Sequence, residues 1–185
     1  MLVAVLSTAF QSCRMAISPY ITGLRAHIGH QRLLLPSISV HVFDEARRML
    51  LVRLRDDGQW STPGGTIEPD EFPSDAAVRE AWEETGLLVR PDRLLGVYGG
   101  PHCVVHYPNG DESQYVIIAI GCSVIGGTAR PDHDETVELR YCTESEAANL
   151  TLTPWLRTHL RIVYGGVDGP GFEPSTWRPP SAAVS

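Results

Sequence analysis

A chain of 185 residues is long enough for one domain with its own core and too short for two ordinary ones. An apolar share of 43% excludes a disordered or membrane-embedded chain, and a net charge of −7, with all fifteen basic residues arginine, argues against binding long DNA or RNA. The four cysteines, Cys13, Cys103, Cys122 and Cys142, form no C-x-x-C pair. That spacing disfavours a zinc site and a disulfide framework, so a reducing, cytoplasmic compartment is expected.

Residues 1–14 are apolar, but no positive region precedes the apolar run and no small-residue cleavage site follows it. The run is also too short to span a bilayer. It is read as a dispensable, poorly ordered extension, with Met15 as an alternative start. In the segment 15–32, Ser18-Pro19 suits an N-cap and first turn, Tyr20, Ile21, Leu24 and Ile28 recur at helical spacing, and Gly29 suits the stop. A short amphipathic helix packed on the domain is expected there.

Strand-like runs follow at Leu33 to Phe43 and Arg48 to Leu54, separated by the polar corner Asp44-Glu45-Ala46-Arg47. Arg55 to Gln59 reads as a turn. Further strands are expected at Leu94 to Tyr98, Cys103 to Tyr107, Tyr115 to Ile125 and Val137 to Cys142, the third of them central in a sheet. Pro108-Asn109-Gly110-Asp111 supplies a hairpin turn, because Asn-Gly tolerates positive φ. Thr143 to Leu150 and Pro154 to Val163 read as helices, and the Gly- and Pro-rich tail 165–185 as extended or mobile. The element order, strands mixed with helices over 33–164, points to an α/β domain with a sheet covered by helices.

Between these runs lies GTIEPDEFPSDAAVREAWEETGL, residues 65–87. Pro73 suits a helix's first turn and Gly86 the position just past its end. At about 100° per residue, Arg79, Glu80, Glu83 and Glu84 share one arc of roughly 140°. Val78, Ala81, Trp82 and Thr85 fall opposite, as a packing surface. Three glutamates on one face repel one another, and a cation is the simplest relief. Oxygen-only ligands select a hard ion, Mg²⁺ or Mn²⁺. On the glutamates alone, a solvated acidic face would serve equally well.

The spacing separates the two. The segment matches G-x5-E-x7-R-E-U-x-E-E-x-G-U, with Gly65, Glu71, Arg79, Glu80, Glu83, Glu84 and Gly86 at the fixed positions and Ala81 and Leu87 at the hydrophobic ones. It resembles the Nudix box, and Trp60-Ser61-Thr62-Pro63-Gly64-Gly65 resembles that family's approach strand and loop. The likeness extends over roughly residues 33–160. One departure is Phe72, where a capping serine or threonine is usual.

The resemblance implies an α/β/α sandwich with a mixed β-sheet and the box as loop-helix-loop. It implies a Mg²⁺-dependent hydrolase (Mn²⁺ substituting) that cleaves the diphosphate bond of a nucleoside diphosphate linked to another moiety, such as ADP-ribose or a nucleotide sugar. Glu80 and Glu84 would hold the main metal, with Glu83 beside them and the Gly64 carbonyl as a further ligand. Arg79 would pair with Glu71 or Glu83 to fix the carboxylates. The general base varies within the family. Some members use the counterpart of Glu80, others a carboxylate on a distant loop, where Asp132, Asp134, Glu135 and Glu138 cluster here. Glu135 is the candidate for base or extra ligand.

Pro101 lies near a proline that ADP-ribose-cleaving members share. The alternatives are a nucleoside triphosphate pyrophosphohydrolase that removes modified dNTPs, and a non-catalytic nucleotide sensor. Sensors typically lose a box glutamate, whereas this chain keeps all of them. The expected partner is a small-molecule nucleotide, not a nucleic acid polymer or a membrane, and a homodimer is left open. His102, His106 and His133 read as surface or strand histidines, Trp82 as core, Cys103 and Cys122 as core thiols, and Trp60 and Tyr98 as residues that could stack on a base.

Overall fold

The computed structural model describes residues 18–165 and 169–176, so the extension 1–14, Met15 and the last nine residues lie outside the described part. In chain order the elements are α1 (Pro19–Ile28), β1 (Leu33–Val42), β2 (Met49–Leu54), β3 (Trp60–Ser61), α2 (Pro73–Thr85), β4 (Leu87–Tyr98), a 3-10 turn (Pro101–Cys103), β5 (Val104–His106), β6 (Glu112–Gly127), β7 (Thr136–Cys142), α3 (Glu144–Ala148) and α4 (Pro154–Gly165).

β6, expected to be central, lies between a parallel β1 and an antiparallel β4, with β5 also pairing to it. That sheet is therefore mixed. A second, antiparallel sheet has the order β3-β2-β7. Two apolar layers result. One joins Ile38, Val40, Val42, Leu50 and Ile120 to Ala76, Ala77 and Ala81 of α2. The other joins Met49, Leu51, Trp60, Tyr98, Ile117 and Ala119 to Trp155, Leu156 and Leu160 of α4. Helices thus cover the sheets from both sides, which is the α/β/α arrangement. No helix among the described residues is long and apolar enough to cross a membrane.

Local chemistry accounts for most element ends. Ser18 Oγ accepts from the Ile21 amide and caps α1, and Gly29 closes it. Tyr107 and Asp111 close the Asn-Gly hairpin, the Tyr107 amide donating to the Asp111 carbonyl at 2.9 Å. The helix α1 buries no residue fully; Arg25 clasps it to the domain instead, donating to the Glu112 carbonyl at 2.6 Å and to Ser113 Oγ at 3.2 Å.

Two elements differ from expectation. β4 begins at Leu87, seven residues before the expected Leu94, because β4 tolerates Pro91 where its register with β6 shifts between Pro91 and Arg93. Residues 169–176 are not a loose tail. The Val97 amide donates to the Gly171 carbonyl at 2.9 Å and the Gly171 amide to the Leu95 carbonyl at 2.8 Å, so this stretch covers the free edge of β4. Glu173 Oε1 lies 2.8 Å from Nε2 of the buried His159, whose Nδ1 lies 2.8 Å from the Trp155 carbonyl. These two contacts tie residue 173 to the interior of α4.

His41 of β1 is fully buried, with Nε2 2.9 Å from Ser39 Oγ and Nδ1 3.3 Å from Met49 Sδ. Ser39 Oγ in turn lies 2.6 Å from Thr62 Oγ1, so this polar chain reaches the loop before α2. Burial lowers the His41 pKa from 6.5 to about 3. Between those values the unfolded chain binds a proton that the fold does not, so stability falls as pH falls, by about 1.4 kcal/mol per pH unit at most. Urea denaturation between about pH 6.5 and 5 checks this. His41→Gln should flatten the slope over that window, and equal slopes for the two proteins would contradict it.

Candidate active site

The loop before α2 runs beside β1. The Val40 amide donates to the Pro63 carbonyl at 2.8 Å and the Ile38 amide to the Gly65 carbonyl at 2.9 Å. The approach is close enough to demand glycine. A Cβ on Gly64, at φ 151°, would lie 2.2 Å from the Ile38 carbonyl oxygen, and one on Gly65 would lie 2.5 Å from Glu80 Oε1.

The helix α2 delivers the carboxylates. Pro73 opens it behind Phe72, which caps it with no side-chain hydrogen bond, as its apolar side chain dictates. Gly86 closes it in the left-handed conformation. Glu80 and Glu84, one turn apart, are both buried, and Glu84 Oε1 accepts from the Gly64 amide at 3.0 Å.

Arg79 organises the other acids. Its Nε and Nη2 donate to the two oxygens of Glu71 at 2.8 and 2.9 Å, a planar fork on a carboxylate. Nη1 reaches Glu80 at 2.7 Å and Glu83 at 3.1 Å, and Nη2 also donates to the Thr66 carbonyl at 3.1 Å. Arg79 therefore ties the loop to the helix, pairing with both Glu71 and Glu83. Glu83 stands outermost, its side chain 56% exposed.

Electrostatics follow from this division. The Arg79 guanidinium holds Glu71 below the usual carboxylate range. Glu80 is pushed up to about 7, chiefly by burial; its bond to Arg79 opposes this, and the charges of Glu83 and Glu135 add to it. Arg79 loses that contest because its fork is engaged on Glu71. Glu84 is likewise raised well above the usual range, again by burial first, with the Gly64 amide opposing and Glu80, Glu135 and Asp132 reinforcing.

Glu135, half-buried just before β7, adds its negative charge to the surroundings of both buried glutamates. Asp132 holds its backbone: the carboxylate accepts from the Glu135 amide at 3.1 Å and the Thr136 amide at 2.8 Å. Asp132 itself is raised by burial, but these amide bonds outweigh that and lower it overall. Sequence reading missed the bracing by Asp132 and Thr136; the Asp-x-x-x-Thr spacing typical of side-chain-capped turns was its available signal. Glu138 lies apart, paired with Arg53 at 3.1 Å and Arg140 at 2.7 Å.

One expectation is corrected. Trp82 is not core but 50% exposed. The buried arc of α2 runs from Ala76 through Glu80, Glu84, Ala77 and Ala81 to Thr85, and Trp82 falls about 60° beyond Thr85, outside it. The helix packs with its acidic flank turned inward, which tips the tryptophan out. Trp60 and Tyr98 are buried and present no free face for a base, while His102, His106 and His133 are exposed. Cys103 and Cys122 are core thiols, pushed up by burial to about 11 and about 12.

A divalent cation fits the donor set. Two buried carboxylates one turn apart repel each other beside the Gly64–Gly65 loop. Among the described residues no three His, Cys, Asp or Glu side chains form a ready-made metal cage. Mg²⁺ does not need one, since it keeps several waters and takes one or two carboxylates.

Comparison with known proteins agrees with this geometry. A family model described as the NUDIX domain matches residues 33–161, and the chain belongs to that family. It is 36% identical over 100 residues to a MutT-like protein of Streptomyces ambofaciens, covering 54% of this chain and 58% of that one. Over 103 residues it is 33% identical to an ADP-ribose pyrophosphatase of Methanocaldococcus jannaschii, covering 54% of this chain and 57% of the other. The chain thus spans a little under three fifths of these two relatives. Among solved structures, a UDP-X diphosphatase superposes with a TM-score of 0.64 at 20% identity, over 83% of this chain and 74% of that one, a likeness of fold.

Arg79→Met leaves Glu71 and Glu80 without their shared cation. It should cost about 1–3 kcal/mol of stability in chelator, measured by urea denaturation. Unchanged stability would mean that the fork on Glu71 contributes nothing.

Proposed function

We propose that this protein is a Mg²⁺-dependent hydrolase of the diphosphate bond in a nucleoside diphosphate joined to a second moiety, of the ADP-ribose or nucleotide-sugar kind. The observation that carries this reading is the buried Glu80–Glu84 pair set against the Gly64–Gly65 loop. The names of relatives support the substrate class, since an ADP-ribose pyrophosphatase and a UDP-X diphosphatase both resemble the chain.

Glu80, Glu84 and the Gly64 carbonyl would hold the ion, with Glu83 at its outer side. An ion held there would supply charge neutralisation of the diphosphate and a lowered pKa for the attacking water. Arg79 positions Glu80 and Glu83, and by gripping Glu71 keeps the loop closed on the helix. Glu135 accepts the proton of the water that attacks phosphorus, so that the oxygen–phosphorus bond forms as the diphosphate bridge breaks. A carboxyl near neutrality, as at Glu80, is also what a base would show in the free protein, but a cation held by Glu80 favours its ionised form and removes that advantage. The acidic, lysine-free composition suits a small-molecule substrate better than a nucleic acid polymer.

A substrate panel tests the reading. Phosphate release with Mg²⁺, with and without alkaline phosphatase, is followed for ADP-ribose, nucleotide sugars, dinucleoside polyphosphates and normal and oxidised nucleoside triphosphates. Preferred cleavage of ADP-ribose or a nucleotide sugar, lost on chelation, is expected. Preference for a triphosphate would transfer the protein to the class suggested by a Bacillus subtilis relative provisionally named an 8-oxo-dGTP diphosphatase, 34% identical over 102 residues. No cleavage at all by metal-loaded protein would favour a sensor.

Glu84→Gln should abolish turnover while keeping the fold, and full activity would overturn the metal assignment. Glu135→Gln should lower kcat by at least about a hundredfold. A near-wild-type rate would return the proton to Glu80.

A further inference from the structure

The loop 128–135 is bound to the end of α2 at several points. The Thr128 amide donates to the Gly86 carbonyl at 3.1 Å and the Arg130 amide to the Thr85 carbonyl at 2.9 Å. The last tie is a side chain. Thr136 Oγ1, fully buried, lies 2.9 Å from the Glu84 backbone carbonyl and 2.9 Å from Asp132 Oδ1. Both neighbours are acceptors, so one hydroxyl proton is shared between them. Asp132 in turn receives the Glu135 and Thr136 amides, and the Glu135 carbonyl receives the Arg55 amide at 2.9 Å.

Glu135 is thus flanked by two held peptides, and the residue after it touches the same residue, Glu84, whose carboxylate faces Gly64. His133 adopts φ 64° within this turn, a conformation that costs a non-glycine residue free energy, and its amide and carbonyl are both engaged, by the Thr136 carbonyl and the Arg55 side chain. The turn is over-determined, which is how a loop acquires the precision of a helix or strand.

We propose that Asp132 and Thr136 are positioning residues that act through Glu135: the Thr136 hydroxyl, shared between Asp132 and the Glu84 carbonyl, sets the distance from the loop carboxylate to the buried glutamate pair. This rests on the assignment of Glu135 to the reaction. The shared proton makes the end of α2 the reference point for the loop, so the base and the cation ligands keep register with each other. Misplacement by about 1 Å is enough to cost up to about a hundredfold in rate.

Thr136→Val keeps the shape and removes the hydroxyl; Thr136→Ser restores it. With the full chain and its best substrate, Thr136→Val should lower kcat at least about tenfold with KM within about twofold, and Thr136→Ser should recover most of the rate. Asp132→Asn, which keeps one acceptor oxygen, should fall between. In a Glu135→Gln background Thr136→Val should cost less than about twofold more, because the residue it positions has gone.

Mg²⁺ titrated calorimetrically into the substrate-free protein gives a readout without turnover. Glu135→Gln and Thr136→Val should both weaken binding, and Thr136→Ser should not. Wild-type kcat in Thr136→Val, with Glu135→Gln crippled, overturns the positioning role alone. An equal loss from Thr136→Val in both backgrounds overturns it too, as a general effect on the fold. Full activity in Glu135→Gln overturns the assignment of Glu135, and the positioning role with it.

Discussion

Two carboxylates on adjacent turns of α2 are buried against a glycine loop, and the rest of the site is arranged around that cost. Ionised carboxylates leave water unwillingly, and two side by side repel each other. The fold offsets part of this with the Gly64 amide on Glu84 and one arm of Arg79 on Glu80. The remainder is left standing, and both carboxyls are raised. Glycine at 64 and 65 is what allows the approach, since any Cβ there would strike the Ile38 carbonyl or the Glu80 carboxylate. Sheet, loop and helix are therefore placed to hold an electrostatic deficit of the kind that a divalent cation would relieve.

Arg79 shows how one side chain can serve both the fold and the chemistry. Its fork on Glu71 is a loop-to-helix tie, and the arm left over aligns Glu80 and Glu83. Lysine, a single point donor, could not make both contacts. Glu71 has both carboxylate oxygens taken up by the Arg79 fork, which leaves it tied to the arginine. On the opposite side the turn at Asp132 brings a further negative charge toward the pair.

The box helix was legible because proline, glycine and the glutamate spacing each mark a position; a sheet covered by helices followed from the element order, and its mixed character from the family resemblance alone. What escaped was decided by tertiary packing. Period alone placed Trp82 in the core, but α2 turns its acidic flank inward and leaves the tryptophan half out. The start of β4 was hidden by Arg90-Pro91-Asp92, which has the composition of a turn and is absorbed by shifts in register. The docking of residues 169–176 was invisible for a different reason: a Gly- and Pro-rich stretch carries no periodicity, and its partners, the edge of β4 and His159, are distant in sequence. The roles of Asp132 and Thr136 depend on a backbone carbonyl of α2, which no side-chain pattern records.

On the proposed function, the buried pair should destabilise the fold until a cation arrives. Thermal unfolding of the wild type and of Glu80→Gln, each in chelator and in Mg²⁺, tests this most directly. Glu80→Gln should melt above the wild type in chelator, because the amide carries no charge to be held out of water beside Glu84. In Mg²⁺ the wild type should gain stability and the variant should gain little. A wild type that melts higher in chelator and is indifferent to Mg²⁺ would contradict the account, and would make the glutamate pair a structural feature held by Arg79 alone.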